Sequence, residues 1–170
     1  MALPHPNIRT YQPADRDAVR ELFARGQRDF AQGLEDVVER YIQRSLADDL
    51  ADIPAHYLAQ PGSHFWVADW EGQVKGMVAI QRRSDEDAEL RRMSVASDCR
   101  RQGIGGKLLA TTDAFCREQG YRRIRLTTVT QLQPAIALYQ KFGYQWQGEE
   151  PYGRLTVYHF VKELTNPQSR

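Results

Sequence analysis

Cysteine is scarce in this chain: two among 170 residues, Cys99 and Cys116, with neither a paired nor a metal-like spacing. That excludes a disulfide framework and points to two free thiols in a reducing cytoplasm. Histidine is equally thin. His5, His56, His64 and His159 are scattered, none at a helical metal spacing from another, so no metal site is expected. An excess of one charge sign is missing too: 23 Lys and Arg stand against 22 Asp and Glu, a formal net charge of +1. Such a balance neither recruits nucleic acid nor repels acidic substrates. No apolar run approaches the roughly 18 residues that a membrane span needs. The opening residues, MALPHPNIRTYQ, have no charged n-region and no apolar h-region, which argues against secretion. What is present is globular in character, 41% hydrophobic and 26% charged, at a length that fits one domain with a real core.

Strand and helix patterns alternate along the chain. Ile8–Tyr11 reads as a short strand, and Pro13 opens a helix whose apolar stripe is Val19, Leu22 and Phe23. Residues 28–62 are mostly helical in pattern, broken at Pro54 and closed by Pro61-Gly62-Ser63. HFWVADW and Val74–Gln81 form a hairpin about Glu71-Gly72-Gln73. Ala88–Ala96 is the next strand, its alternation spoiled where Arg91 and Arg92 adjoin. A helix follows from Ile104 and ends at Gly120, then a strand over Arg123–Val129 and a helix from Pro134 to Gly143. Strands near Tyr144–Gln147 and Arg154–Lys162 close the chain. The sum is a mixed α/β domain of about seven strands.

The informative stretch is RRQGIGGKLL, Arg100–Leu109, which sets glycines 103, 105 and 106 at the mouth of a helix. A helix N-terminus offers unsatisfied N–H groups and the positive end of the dipole, and phosphate is its usual guest. Glycines there clear the side chains from a ligand's path, and Arg100, Arg101 and Lys107 add positive charge. Two phosphate loops do not fit. A P-loop needs Ser or Thr after Gly-Lys, and a dinucleotide fingerprint needs a third glycine; Leu108 stands at both positions.

Arg-x-x-Gly-x-Gly, as Arg100–Gly105, resembles the acyl-CoA pyrophosphate loop of the GCN5-related N-acetyltransferases, the GNAT superfamily. LRRMSVASDC before it is similar to that family's fourth strand, and PAIALYQKFGY after it to its second motif. The stretch from Asp48 to Ile80 further resembles the camello-type, N-acetyltransferase 8-like branch, whose eukaryotic relatives acetylate cysteine conjugates or protein lysines. The resemblance spans about residues 8–163 of a single domain over 1–170, with 28–62 on the acceptor side and 164–170 a tail. It implies a mixed, mostly antiparallel seven-stranded sheet, splayed between strands 4 and 5 and flanked by about four helices.

It also implies roles. Acetyl-CoA would be the co-substrate, without a metal. The main chain of Met93, Ser94 and Val95 would receive the pantetheine arm. The loop from Arg100 through Arg101, Gln102, Gly103, Ile104, Gly105 and Gly106 would hold the pyrophosphate. Tyr139 would contact the cofactor and protonate the departing thiolate, or it packs, since Ile136, Tyr139 and Phe142 share a face. Glu89 matches the carboxylate base of histone-modifying members, or it is the solvated end of the acidic turn DEDAEL. His159 and water are other candidate bases, and Tyr152 and Tyr158 candidates for the acceptor cleft. Tyr41, Asp48, His56 and Tyr57 are acceptor-side candidates by position alone. The sequence departs from the family at Thr127, which cannot serve as an acid, and at Leu132, where many relatives carry a cofactor-contacting Asn.

The activity implied is acetyl transfer to a primary amine by direct attack in a ternary complex, on a small-molecule amine or amino-acid conjugate. Protein lysine or N-terminal acetylation is the alternative, and a non-catalytic acyl-CoA sensor a further one. A nucleic-acid binder built on the arginines of 82–101 fits poorly with acids interleaved at Asp85–Asp87. The family often forms homodimers.

Overall fold

The computed structural model describes residues 4–164, and residues 165–170 of the expected tail lie outside that range. Seven strands form one sheet in the order β1-β2-β3-β4-β5-β7-β6. Strand β1 is Asn7–Thr10, β2 His64–Trp70, β3 Gln73–Arg82, β4 Asp87–Val95, β5 Arg123–Val129, β6 Gln145–Tyr152 and β7 Leu155–Glu163. The helices are α1 (Arg16–Arg28), α2 (Glu35–Ala47), α3 (Ile104–Gln119) and α4 (Gln133–Lys141). Pairing is antiparallel throughout except between β4 and β5, which run parallel. That one parallel pair follows from α3, the crossover helix between them.

Because strand side chains alternate, each strand feeds both faces of the sheet. Ala68, Val78, Ile80, Ala88 and Leu90 pack with Leu126 and Phe160 under α3 and α4. Phe65, Val67, Met77 and Ala79 pack on the other face with Val19, Phe23 and Ile42 from α1 and α2. The second core is shorter. It engages only the β2–β3 half of the sheet, so on that face Arg125 and Thr127 of β5 are exposed.

Three elements differ from the sequence expectation. Strand β6 runs on to Tyr152 despite Pro151, because it is an edge strand and Pro151 lacks only an N–H that a central strand would need. The 28–62 stretch contains a single α-helix followed by a 3-10 turn at Asp49–Ala51 and a π turn at Pro54–Leu58, with Pro54 opening the last. Leu164 belongs to the core and not to a tail: it is buried and its N–H donates to the Arg122 carbonyl at 2.8 Å.

Candidate active site

Helix α3 begins at Ile104 with Gly103 as its N-cap, held at φ 81° with no side-chain cap. Arg101, at φ 66°, also takes the left-handed conformation that turns the chain from β4 into the helix. The first backbone bond of the helix is Lys107 N–H to the Gly103 carbonyl at 3.1 Å. None of the N–H groups from Arg101 to Gly106 donates to another described residue. A Cβ added at Gly103 would meet nothing within 4 Å, so the loop's outer face is open.

The three glycines do not share one task. A Cβ on Gly105 would lie 2.6 Å from Leu138 Cδ2, and one on Gly106 2.9 Å from Phe142 Cζ. Both therefore face α4 and let the two helices approach; only Gly103 clears a ligand's path. The loop cations also divide. Arg100 Nη2 donates to Asp29 Oδ2 at 3.2 Å and its guanidinium lies 5.3 Å from the Phe30 ring centre, which directs it toward α1. Arg101 and Lys107 are exposed and make no ion pair with the described residues.

Strands β4 and β5 pair only at Asp87–Arg123, Ala88–Ile124 and Glu89–Arg125. Beyond Glu89 they splay, and the β5-facing edge of Met93, Ser94 and Val95 is free of strand partners. Their other edge pairs with β3 through a bulge: Met77 faces Ser94 and Ala79 faces Arg91, so Arg92 and Met93 together oppose Val78. Arg92 sits at φ 57°, unusual for a residue with a Cβ. The bulge explains the broken alternation at Arg91-Arg92.

The bulge turns Arg92 into the α1/α2 side. Its side chain is 5% exposed and grips Asp49, 2% exposed, at 2.9 Å through Nε and 2.5 Å through Nη2. Nη1 also donates to Ser45 and Tyr41, and Phe23 lies beneath the guanidinium. Tyr57 donates to Asp49 and accepts from Arg91. Burial alone would raise the Asp49 carboxyl; the hydrogen bonds and charge of Arg92, with the Tyr57 hydroxyl, outweigh it and hold it below the ordinary aspartate value.

Tyr139 lies on α4 in the core, edge-on to Tyr144 at 5.8 Å, and its hydroxyl bonds to no other described residue. Burial raises the phenol well above its ordinary value, so it carries its proton at neutral pH.

Across the splay, on the opposite face, Glu89 and His159 meet in a cleft of about 510 Å³ that Arg83, Arg125, Thr127 and Gln147 also line. The two candidate bases thus share one site. His159 Nε2 lies 2.9 Å from Glu150 Oε1. An ionised carboxylate only accepts, so that nitrogen carries the proton. Glu89 pairs with Arg83 through Oε2, and Arg91 Nε lies 3.8 Å from its Oε1.

Of the other candidates, Tyr158 and Tyr152 do not line this cleft. Tyr158 falls on the other parity of β7, packed near Trp146 and Phe160, and Tyr152 is exposed at the hairpin end of β6. Tyr57 is fully buried and its hydroxyl is committed to Asp49; Asp48 is exposed at the end of α2. His56 lines a neighbouring groove. Sequence reasoning missed Arg83, Arg125 and the Asp49–Arg92 pair; its available signals were the adjacent arginines and an acid directly before apolar Leu50. Among the described residues no three His, Cys, Asp or Glu gather as a metal site, and no helix is long and apolar enough to cross a membrane.

Comparisons bear on this geometry. The acetyltransferase (GNAT) family model matches residues 21–144. N-acetyltransferase 8 of Mus musculus is 38% identical over 141 residues, 76% of this chain and 62% of the relative. N-acetylaspartate synthetase of Danio rerio is 40% identical over 114 residues, 66% of this chain and 40% of the relative. The chain thus spans less than two thirds of the length of these relatives, 62% of one and 40% of the other. The PaiA N-acetyltransferase of Thermoplasma acidophilum, solved with coenzyme A, superposes with a TM-score of 0.81 at 17% identity, over 94% of this chain and 99% of that one. This last likeness shows the fold.

Proposed function

The chain belongs to the GNAT family of acetyltransferases, and from that premise we propose that it transfers the acetyl group of acetyl-CoA to a primary amine by direct attack in a ternary complex. The acceptor is a small-molecule amine or amino-acid conjugate, a reading supported by the relative named for N-acetylaspartate synthesis. One observation carries it: the unclaimed N–H groups of Arg101–Gly106 stand at the end of the strand that splays from β5 just past Glu89.

The residues present fit the co-substrate. A pyrophosphate would take the loop N–H groups, helped by the helix dipole, Arg101 and Lys107. An extended pantetheine arm would pair with the free edge of Met93–Val95. Bound acetyl-CoA supplies the acyl carbon and the sulfur that leaves. Glu89 takes a proton from the acceptor's ammonium on one face of the splay. Tyr139, kept protonated by burial, returns one to the sulfur on the other.

Direct attack is supported by the cysteines. Burial, with Asp113 nearby, pushes the Cys116 thiol up to about 12, and burial with Asp98 raises Cys99. Neither offers a thiolate nucleophile at neutral pH.

The test is thiol release from acetyl-CoA across polyamines, free amino acids, amino-acid conjugates, aminoglycosides and lysine peptides, with a no-acceptor control. Release that depends on a small amine supports the reading; release with lysine peptides alone replaces it with protein acetylation. Acetyl-CoA at 100 times its Kd stabilises a specific binder by about 2.7 kcal/mol. No shift in melting would remove the acetyl-CoA site.

A further inference from the structure

Glu89 is not free to act as drawn above. Arg83 leaves the end of β3, anchored by its N–H to the Asp87 carbonyl at 2.9 Å, and its Nε and Nη2 both reach Glu89 Oε2. Arg91 stands by the other oxygen but is itself bonded to Tyr57 and Gln81. With Arg83 on Oε2 and Arg91 near Oε1, an incoming ammonium must compete with guanidinium charge for the carboxylate. Yet the Arg83 side chain is 50% exposed, and so half-exposed a pair is weak and exchangeable.

Arg83 also has a singular position. It lines both the Glu89 cleft and a second groove of about 850 Å³ bordered by His56, Ser63, Gln81, Arg82 and Asp85. The other cleft arginine, Arg125, shares Asp87 with Arg123 and touches only the first cavity.

Resting on the acetyltransferase reading, we infer that Arg83 masks Glu89 until an acceptor carrying a carboxylate beside its amino group trades partners with the pair. The acceptor's ammonium takes the place of Arg83 at Glu89, and its carboxylate takes the place of Glu89 at Arg83. One ion pair becomes two and no charge is left alone in the cleft. A plain cationic amine displaces Arg83 and leaves it unpaired. The rest of the acceptor lies in the second groove. In the step that follows, the ammonium passes one proton to Glu89, the neutral nitrogen bonds to the acyl carbon and the carbon–sulfur bond breaks. Tyr139 protonates the sulfur. The nitrogen's second proton leaves to water as the amide forms, and water restores the proton that Tyr139 gives up.

The experiment compares each free amino acid with its own primary amide, in the native protein and in Arg83→Gln. The native protein favours the acids by about tenfold or more in kcat/KM. Arg83→Gln abolishes that preference, mainly by lowering the rate on acids, and raises kcat on amides above the native value because Glu89 is unmasked; the KM for acetyl-CoA stays put. A merely structural arginine lowers both series together. Equal turnover of acids and amides by the native protein, or a proportional loss of both in the variant, overturns the inference. So does silence with both series when acetyl-CoA still raises the melting temperature, and the transferase reading then survives with another acceptor. Silence with no melting shift overturns both.

Discussion

Strand β4 carries two arginine–carboxylate pairs a few residues apart, and they behave as different objects. Arg92–Asp49 is sealed, at 5% and 2% exposure, with every neighbour of the carboxylate a donor. Arg83–Glu89 is half open, at 50% and 19%. The chemistry of the partners is the same; the solvent is not. A sealed pair cannot lose one member without stranding a charge, whereas an open pair can exchange. The first therefore acts as scaffold, fastening β4 at its bulge to the segment after α2. The second, half open to solvent, is the pair that can exchange partners.

The largest effect that would break this contrast is on the sealed side. Asp49→Ala strands Arg92 and costs about 3–5 kcal/mol, read by denaturant unfolding. A loss no larger than that of an exposed pair would erase the distinction. The pH dependence sharpens it. The Asp49 carboxyl is depressed in the folded state, so its contribution is complete above the unfolded value of about 3.9 and is lost as pH falls through the lower folded value. Asp49→Asn flattens that part of the acid-unfolding curve.

On the open side the effects fall on rate instead. Glu89→Gln lowers kcat by about a hundredfold or more and changes its pH profile, while unfolding free energy moves little. An unaltered pH profile would rule out deprotonation by Glu89. Tyr139→Phe lowers turnover by about tenfold, or about 1.4 kcal/mol, with acetyl-CoA affinity retained in a titration. The smallest effect is on stability in Arg83→Gln, within about 1 kcal/mol by thermal unfolding.

What could be read in the sequence was local. Helix ends declared themselves through Pro13, Pro134, Gly120 and Gly143, and the β2–β3 hairpin through aromatic and β-branched runs about a turn signal. The loop at Arg100–Gly106 was visible as a motif because its spacing is contiguous. What stayed hidden depends on partners far along the chain. Asp49 and Arg92 are joined only once the bulge turns Arg92 over, and adjacent arginines alone do not say which way. Gly105 and Gly106 looked like part of an open loop because Leu138 and Phe142, which require their small size, lie on another helix. Glu89 and His159 could each be named, but not their meeting, since register across β5 places His159 beside Thr127 and Thr127 one parity step from Arg125.

The close approach at Gly105 has a mechanical consequence. Its contact, Leu138, is the residue before Tyr139, so the start of α3 and the phenol are seated by one piece of packing. They form two marks on a single rigid gauge, and a side chain added at Gly105 would change the distance between them.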